Sequence, residues 1–241
     1  MTDDSAMTGP MTRRTVLAGG VSMLGAGCLG GAGGGGTGSG GDGGGGGGGG
    51  DTASLTDHPV GQQLGTQPRL GPDPAEARGV VVAFEDPSCP RCATFEAETV
   101  PKIRSELVDP GDAALVVRTV PLVYPWGEPA IQALEATYAR DADAFWALFA
   151  HYFDEQDAFD TGNVLERTET FLTAETTVDG AAVVADAESK AYDDAVQTDL
   201  AAAEAADVSG TPTVFLFRDG EYRTRVTGSV SFDLVRQSLG L

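Results

Sequence analysis

Two cysteines stand two residues apart in Cys89-Pro90-Arg91-Cys92. Thiols at that spacing can close a small disulfide and reopen it with little movement, which makes the pair a candidate for thiol–disulfide exchange. The same four residues admit a zinc reading and a structural-bridge reading. Zinc asks for four ligands, and beyond the pair the chain holds one more cysteine, Cys28, and two histidines, His58 and His151. His58 lies ahead of the region that reads as folded, and His151 falls in an aromatic helical stretch where it reads as a packed residue. A bridge across so short a loop restrains the unfolded chain little, so a purely structural disulfide would contribute little.

The elements around the pair decide its chemistry. The apolar, β-branched run ending in Val80-Val81-Val82-Ala83-Phe84 suits a strand buried on both faces. Ala93 to Leu107 reads as a helix, with Phe95, Val100, Ile103 and Leu107 on its apolar stripe and a kink expected at Pro101. Cys89 then falls at a helix N-terminus, where free N–H groups and the helix dipole favour a thiolate. Arg91 adds a positive charge of the same sense, and Pro90 fits the first helical turn. Cys89 is expected to be the exposed thiol and Cys92, one turn in, the buried one.

A second feature lies far along the chain, in Val208-Ser-Gly-Thr211-Pro212-Thr213-Val-Phe-Leu-Phe-Arg218. Thr213–Phe217 reads as a strand, Asp219-Gly220 as a turn, Tyr222–Thr227 as a second strand and Ser231–Leu239 as a closing helix. Between the two features, Ala113–Leu122 reads as a strand. Helices are expected over 128–140, 143–153, 163–172, 179–188 and 189–206. The aromatic stripe Phe145, Trp146, Leu148, Phe149 and Phe153 reads as core.

Strand, C-P-x-C, helix, then G-T-P-T with a hairpin and a closing helix resembles the thioredoxin superfamily. The helical insert, about 123–207, with Pro121-Leu122, the Ala-rich helix after Pro129 and Phe145-Trp146, resembles its DsbA-like branch. The resemblance covers residues 79–241. It implies an α/β thioredoxin-like fold with a helical insertion and a thiol–disulfide oxidoreductase acting through Cys89 and Cys92. It also implies a cis Thr211–Pro212 bond packed against the dithiol, leaving the Thr211 backbone to pair with a substrate strand. The family often carries a buried acid six residues before the first cysteine. Here that position is Ala83, and Glu85 and Asp86 are the nearer acids. Implied partners are cysteine-containing exported proteins and a membrane thiol oxidase or reductase. No organic cofactor and no metal are expected.

Of 34 glycines, 22 fall in residues 1–50, which removes that stretch from any packed core. Acids outnumber bases 36 to 15, for a formal charge of −21, which argues against nucleic-acid binding. Only Lys102 and Lys190 are lysines. With 41% hydrophobic residues the chain is no disordered acidic tail, and the carboxylate-rich, Lys-poor balance is similar to that of haloarchaeal-type proteins. Residues 12–28, TRRTVLAGGVSMLGAGC, have the order of an export signal. Arg13-Arg14 resembles a twin-arginine signal, and Cys28 resembles a lipobox cysteine that becomes a lipid anchor on the membrane surface. The alternative is a signal cysteine lost on cleavage. The expected organisation is a signal over 1–28, a Gly-rich tether over 29–58 and the folded domain over 59–241. The chain is expected outside the cytoplasm, lipid-anchored to the outer face of the cell membrane.

Overall fold

Seven consecutive buried residues, Gly79–Glu85, form the central strand β2, as their unbroken apolar run requires. The computed structural model describes residues 53–241. Arg13, Arg14, Cys28 and the Gly-rich run therefore lie outside the described residues. Before β2 comes a two-residue edge strand, β1 (Arg69–Leu70), which the sequence pattern did not announce. After β2 come helices α1 (Pro90–Glu98) and α2 (Val100–Ile103), a π-helical turn Arg104–Val108, and strand β3 (Ala113–Thr119).

Five helices follow: α3 (Gly127–Tyr138), α4 (Ala142–Asp154), α5 (Val164–Glu175), α6 (Gly180–Ser189) and α7 (Asp193–Ala205). Strands β4 (Thr213–Arg218) and β5 (Glu221–Thr227) and helix α8 (Phe232–Leu239) complete the chain. The sheet runs β1-β3-β2-β4-β5. β2 and β3 are parallel, with Ala83 opposite Val117, and β4 returns antiparallel with Val214 opposite Ala83. This is the α/β thioredoxin-like frame with a helical insertion.

Alternation along the central strands sends side chains to two faces. Val81, Ala83, Leu115, Val214 and Leu216 pack under Phe95, Ile103, Val235 and Leu239 of α1, α2 and α8. Val80, Val82, Phe84, Val116, Phe215 and Phe217 pack against Leu55, Val60, Leu64 and the Ala202–Ala206 end of α7. The insert holds a core of its own, built on Trp126, Leu134, Phe145, Leu148, Phe149 and Tyr152. Both Cys89 and Cys92 belong to it. The dithiol therefore lies where frame and insert meet.

Local contacts explain three differences from the expected boundaries. The 93–107 helix breaks at Thr99 (φ −110°, ψ −48°), because Pro101 fits the first turn of a new helix and not the interior of an old one. The break is tied down by the Thr99 hydroxyl, which donates to the Val230 carbonyl at 2.7 Å. The strand expected to reach Leu122 stops at Thr119, since Pro121 has no N–H to offer a ladder. Residues 54–58, on the tether side of the boundary drawn from composition, are packed. Ser54 bridges Glu221, Leu55 is buried, and the buried His58 ring stacks on Tyr222 and meets Phe215 and Phe217 edge-on. His58 is thus part of the domain, and burial holds its pKa below the usual value.

Candidate active site

Cys89 is the N-cap of α1 (φ −84°, ψ 119°), with Pro90 at the first helical position. Its carbonyl accepts from the Cys92 and Ala93 amides at 3.0 and 3.1 Å, closing the first turn. Its sulfur thereby sits at the mouth of a helix, over backbone N–H groups that lack helical partners. Both cysteines are free thiols. Thr211–Pro212 is a cis bond, and Cys89 Sγ lies 3.3 Å from the Thr211 carbonyl oxygen. Cys89, Cys92, Thr211 and Pro212, 122 residues apart at the extremes of that contact, are brought into one site.

Exposure separates the two thiols less than expected. Cys89 is 4% exposed and Cys92 not at all, because the insert core covers both sulfurs. Acidity separates them strongly. Hydrogen bonding from the Cys92 thiol, against the opposing effect of burial, lowers Cys89 to about 5. The backbone N–H groups of Cys92 and Arg91 add to the lowering. Burial, first, and then the hydrogen bond to Cys89 and the charge of Glu85 push the Cys92 thiol far up. A proton thus rests on the inner sulfur and a negative charge on the outer one.

Arg91 acts differently from expectation. It reaches Cys89 through its backbone N–H. Its exposed side chain instead lines a cavity of about 310 Å³ with Thr94, Glu98, Lys102 and the 228–232 segment.

The two acids near the dithiol have separate roles. Asp86 is fully buried, and both its oxygens are occupied. Oδ1 accepts from the Ser88 amide (2.8 Å) and hydroxyl (2.6 Å), and Oδ2 from the Leu122 and Val123 amides (2.7 and 2.8 Å). Asp86 therefore clamps the segment before Cys89 to the loop after β3. Gly127 sits so close that a Cβ there would lie 2.6 Å from Asp86 Oδ1. Glu85 is the opposite case. It is fully buried, and neither oxygen has a hydrogen-bonding partner of good geometry among the described residues. Burial first, then the facing Glu96 carboxyl and the Cys89 charge, raise its pKa well above the carboxylate range. Burial also raises Glu96, to about 7. Both carboxyls are disposed to hold protons at neutrality, and Glu85 does so within electrostatic reach of both sulfurs.

Two residues of the site carry no motif. Glu96 follows Cys92 by four residues, a helical spacing that places both on one face of α1. Gln156, from the insert, donates through Nε2 to the Pro87 and Cys89 carbonyls at 2.7 and 3.1 Å. Nothing in the sequence marks it.

The family model described as Thioredoxin matches residues 65–225. The chain belongs to the thioredoxin family. A probable disulfide bond formation protein D from Bacillus anthracis is 28% identical over 161 residues, covering 63% of this chain and 70% of that protein. Among solved structures, oxidised BdbD from Bacillus subtilis matches with a TM-score of 0.63 at 21% identity, covering 73% of this chain and 92% of that one. DsbA from Chlamydia trachomatis matches at 0.57 and 21% identity, over 72% and 88%. The structural likenesses speak for the fold, which is DsbA-like. The protein is a thiol–disulfide oxidoreductase.

Proposed function

We propose that the protein forms disulfides in exported, cysteine-containing proteins through the Cys89–Cys92 pair. The observation that carries this reading is the opposed acidity of the two thiols, about 5 for Cys89 and strongly raised for Cys92. In the oxidised enzyme a substrate thiolate attacks the Cys89 sulfur, forming a mixed disulfide and breaking the Cys89–Cys92 bond. Cys92 leaves with the electron pair and takes a proton, for which protonated Glu85 is the nearby donor. A second substrate thiolate then attacks the substrate sulfur of the mixed disulfide, and Cys89 departs as thiolate. The substrate loses two electrons and the enzyme gains them. A thiolate stabilised at Cys89 favours the reduced enzyme and so makes the disulfide a stronger oxidant.

The Thr211 N–H has no backbone partner among the described residues, which supports main-chain pairing with an extended substrate beside Cys89. The reduced pair passes its electrons to a membrane thiol oxidase. Arg13-Arg14 supports export as a folded protein, Cys28 a lipid anchor, and the Gly-rich run a tether. The acid-rich surface supports a setting of high salt. No helix among the described residues is long and apolar enough to cross a membrane.

The test is turnover of a reduced, unfolded protein by wild type, Cys89→Ser and Cys92→Ser, together with the reduction potential of the pair. Loss of turnover in both variants and a potential above about −200 mV, the poise of an oxidising secretory compartment, are expected. Unchanged turnover in Cys89→Ser refutes the mechanism. A potential far below that value reverses the direction and assigns a reductase.

A further inference from the structure

The N-terminal segment and two helices of the insert enclose a cavity of about 340 Å³ that the exchange chemistry does not use. Its walls come from the segment Gln63–Gln67, the last turn of α3, and Tyr192 with the first two turns of α7. It shares no wall residue with the dithiol or with the cavity beside Arg91. Its chemistry is one-sided. No wall residue is basic. The wall hydroxyls of Thr66, Tyr138 and Thr198 donate to the Gln63, Gln67 and Asp194 carbonyls at 2.8, 3.1 and 2.9 Å. With those hydrogens spent on the backbone, the three groups have only lone pairs left to offer a ligand. Tyr138 and Tyr192 add aromatic rings.

Glu135 supplies the acid. It lines the cavity although only 7% exposed, and the Thr119 hydroxyl that faces it makes no hydrogen bond of good geometry among the described residues. The neighbouring cations are committed elsewhere. Arg118 pairs with Asp199, Arg69, which faces Tyr138, pairs with Asp73, and Arg140, which faces Tyr192, pairs with Asp186. Neither Glu135 nor the exposed wall residue Asp194 enters an ion pair among the described residues. Arg118 and Asp199 cancel each other, so an ionised Glu135 adds a buried negative charge with no counter-charge of its own. Burial, and then the Asp199 charge, accordingly raise Glu135 to about 8.

We propose that this cavity binds a small alkylammonium ion, with Glu135 as its counter-charge. The ion brings the positive charge that the buried carboxyl lacks, and its N–H donors suit walls made of acceptors. Its alkyl part is suited to the Tyr138 and Tyr192 rings, which also attract a cation. A bare metal ion matches neither the volume nor the rings. No group of three or more His, Cys, Asp or Glu residues placed to hold a metal occurs among the described residues. Binding ionises Glu135, and the displaced proton goes to solvent. The inference stands apart from the exchange reading and does not depend on it.

The experiment titrates the full chain with n-butylammonium chloride at constant ionic strength, by calorimetry at pH 7 and pH 8. Both values lie above the point at which Asp199 titrates, about 6. Saturable binding is expected, with release of about one proton at pH 7 and an affinity about fivefold tighter at pH 8, since the bound state requires the ionised carboxyl. Glu135→Gln is expected to weaken binding by at least about tenfold and to abolish the proton release. Ala195→Leu fills the cavity from its wall without changing any charge. It is expected to abolish binding and to leave dithiol turnover unchanged, and it decides the matter if Glu135→Gln fails to fold. A chain with a formal charge of −21 also draws cations loosely to its surface, and such binding survives Ala195→Leu. Survival in that variant overturns the site. Equal binding of tetramethylammonium, which has no N–H, overturns the proposal, as does equal competition by potassium or calcium chloride. Absence of saturable binding in wild type overturns it outright.

Discussion

Two groups of carboxyls are buried in this molecule, and they are built in opposite ways. The first joins frame to insert: Arg118 of β3 pairs with Asp199 of α7 at 2.7 Å, and both side chains are fully buried. Asp199 also accepts from the Thr119 amide at 2.8 Å, and the guanidinium donates to the Val60 and Gln62 carbonyls. Glu135 lies beside them and, chiefly through burial, is raised to about 8. The second is Glu85 with Glu96, two buried carboxyls that face each other and, among the described residues, make no ion pair with a buried cation. Burial of charge alone does not mark a functional site. The satisfied cluster holds the insert and the N-terminal segment to the sheet. The unsatisfied one stores protons beside two sulfurs.

Removing Asp199 tests the first half of that contrast. Asp199→Ala leaves the Arg118 guanidinium buried with its main counter-charge gone, which costs about 3–5 kcal/mol. Denaturant unfolding reads the loss, and the acidity of Cys89 is expected not to move. Glu85→Leu is the matched change in the other cluster. It removes buried carboxyl oxygens that make no hydrogen bond of good geometry among the described residues, so stability is expected to hold or rise by about 1 kcal/mol. Reduction of the enzyme disulfide by a substrate thiol is expected to slow by at least about tenfold at neutral pH, because Cys92 loses its nearby proton donor. Similar destabilisation by both changes, with no effect on the exchange rate, would erase the contrast.

A smaller effect concerns pH. Glu96 carries its proton to about pH 7 in the fold, against an unfolded value near that of a free carboxyl. Between those values the folded chain binds more protons than the unfolded one, so stability falls as pH rises. Cys89 works the other way. Its depressed pKa adds stability that is lost as pH falls through about 5. Unfolding is therefore followed from pH 5 to 8 in Cys89→Ser. There the decline with rising pH is expected to be plain, and adding Glu96→Gln to flatten part of it. A slope that Glu96→Gln leaves unchanged removes Glu96 from the proton store.

Much of this was legible because it is local. The apolar run of β2, the dithiol at a strand-to-helix junction and the turn chemistry around Asp219-Gly220 each sit within a few residues of one another. The helices of the insert announced themselves by aromatic and aliphatic periodicity and were placed within a few residues, apart from the late start of α7 at Asp193. What was hidden depends on contacts across the chain. Arg118 reads as the polar end of a strand, and its partner lies 81 residues away. Gln156 reaches back 69 residues to the Pro87 carbonyl. Residues 54–66 have no periodicity, and short 3-10 turns and one aromatic nest around His58 hold them in place. The choice between Glu85 and Asp86 was open in sequence. Hydrogen-bond occupancy separates them: Asp86 is saturated, and Glu85 makes no hydrogen bond of good geometry among the described residues.

The central claim is that the outer sulfur is ionised at neutrality while the inner one keeps its proton. Thiolate absorbance of the reduced chain, titrated from acid to neutral pH, reads it directly. A single thiolate appearing near pH 5, absent in Cys89→Ser, is the result expected here. A transition near the free-thiol value of about 8.5, or one that persists in Cys89→Ser, would contradict it.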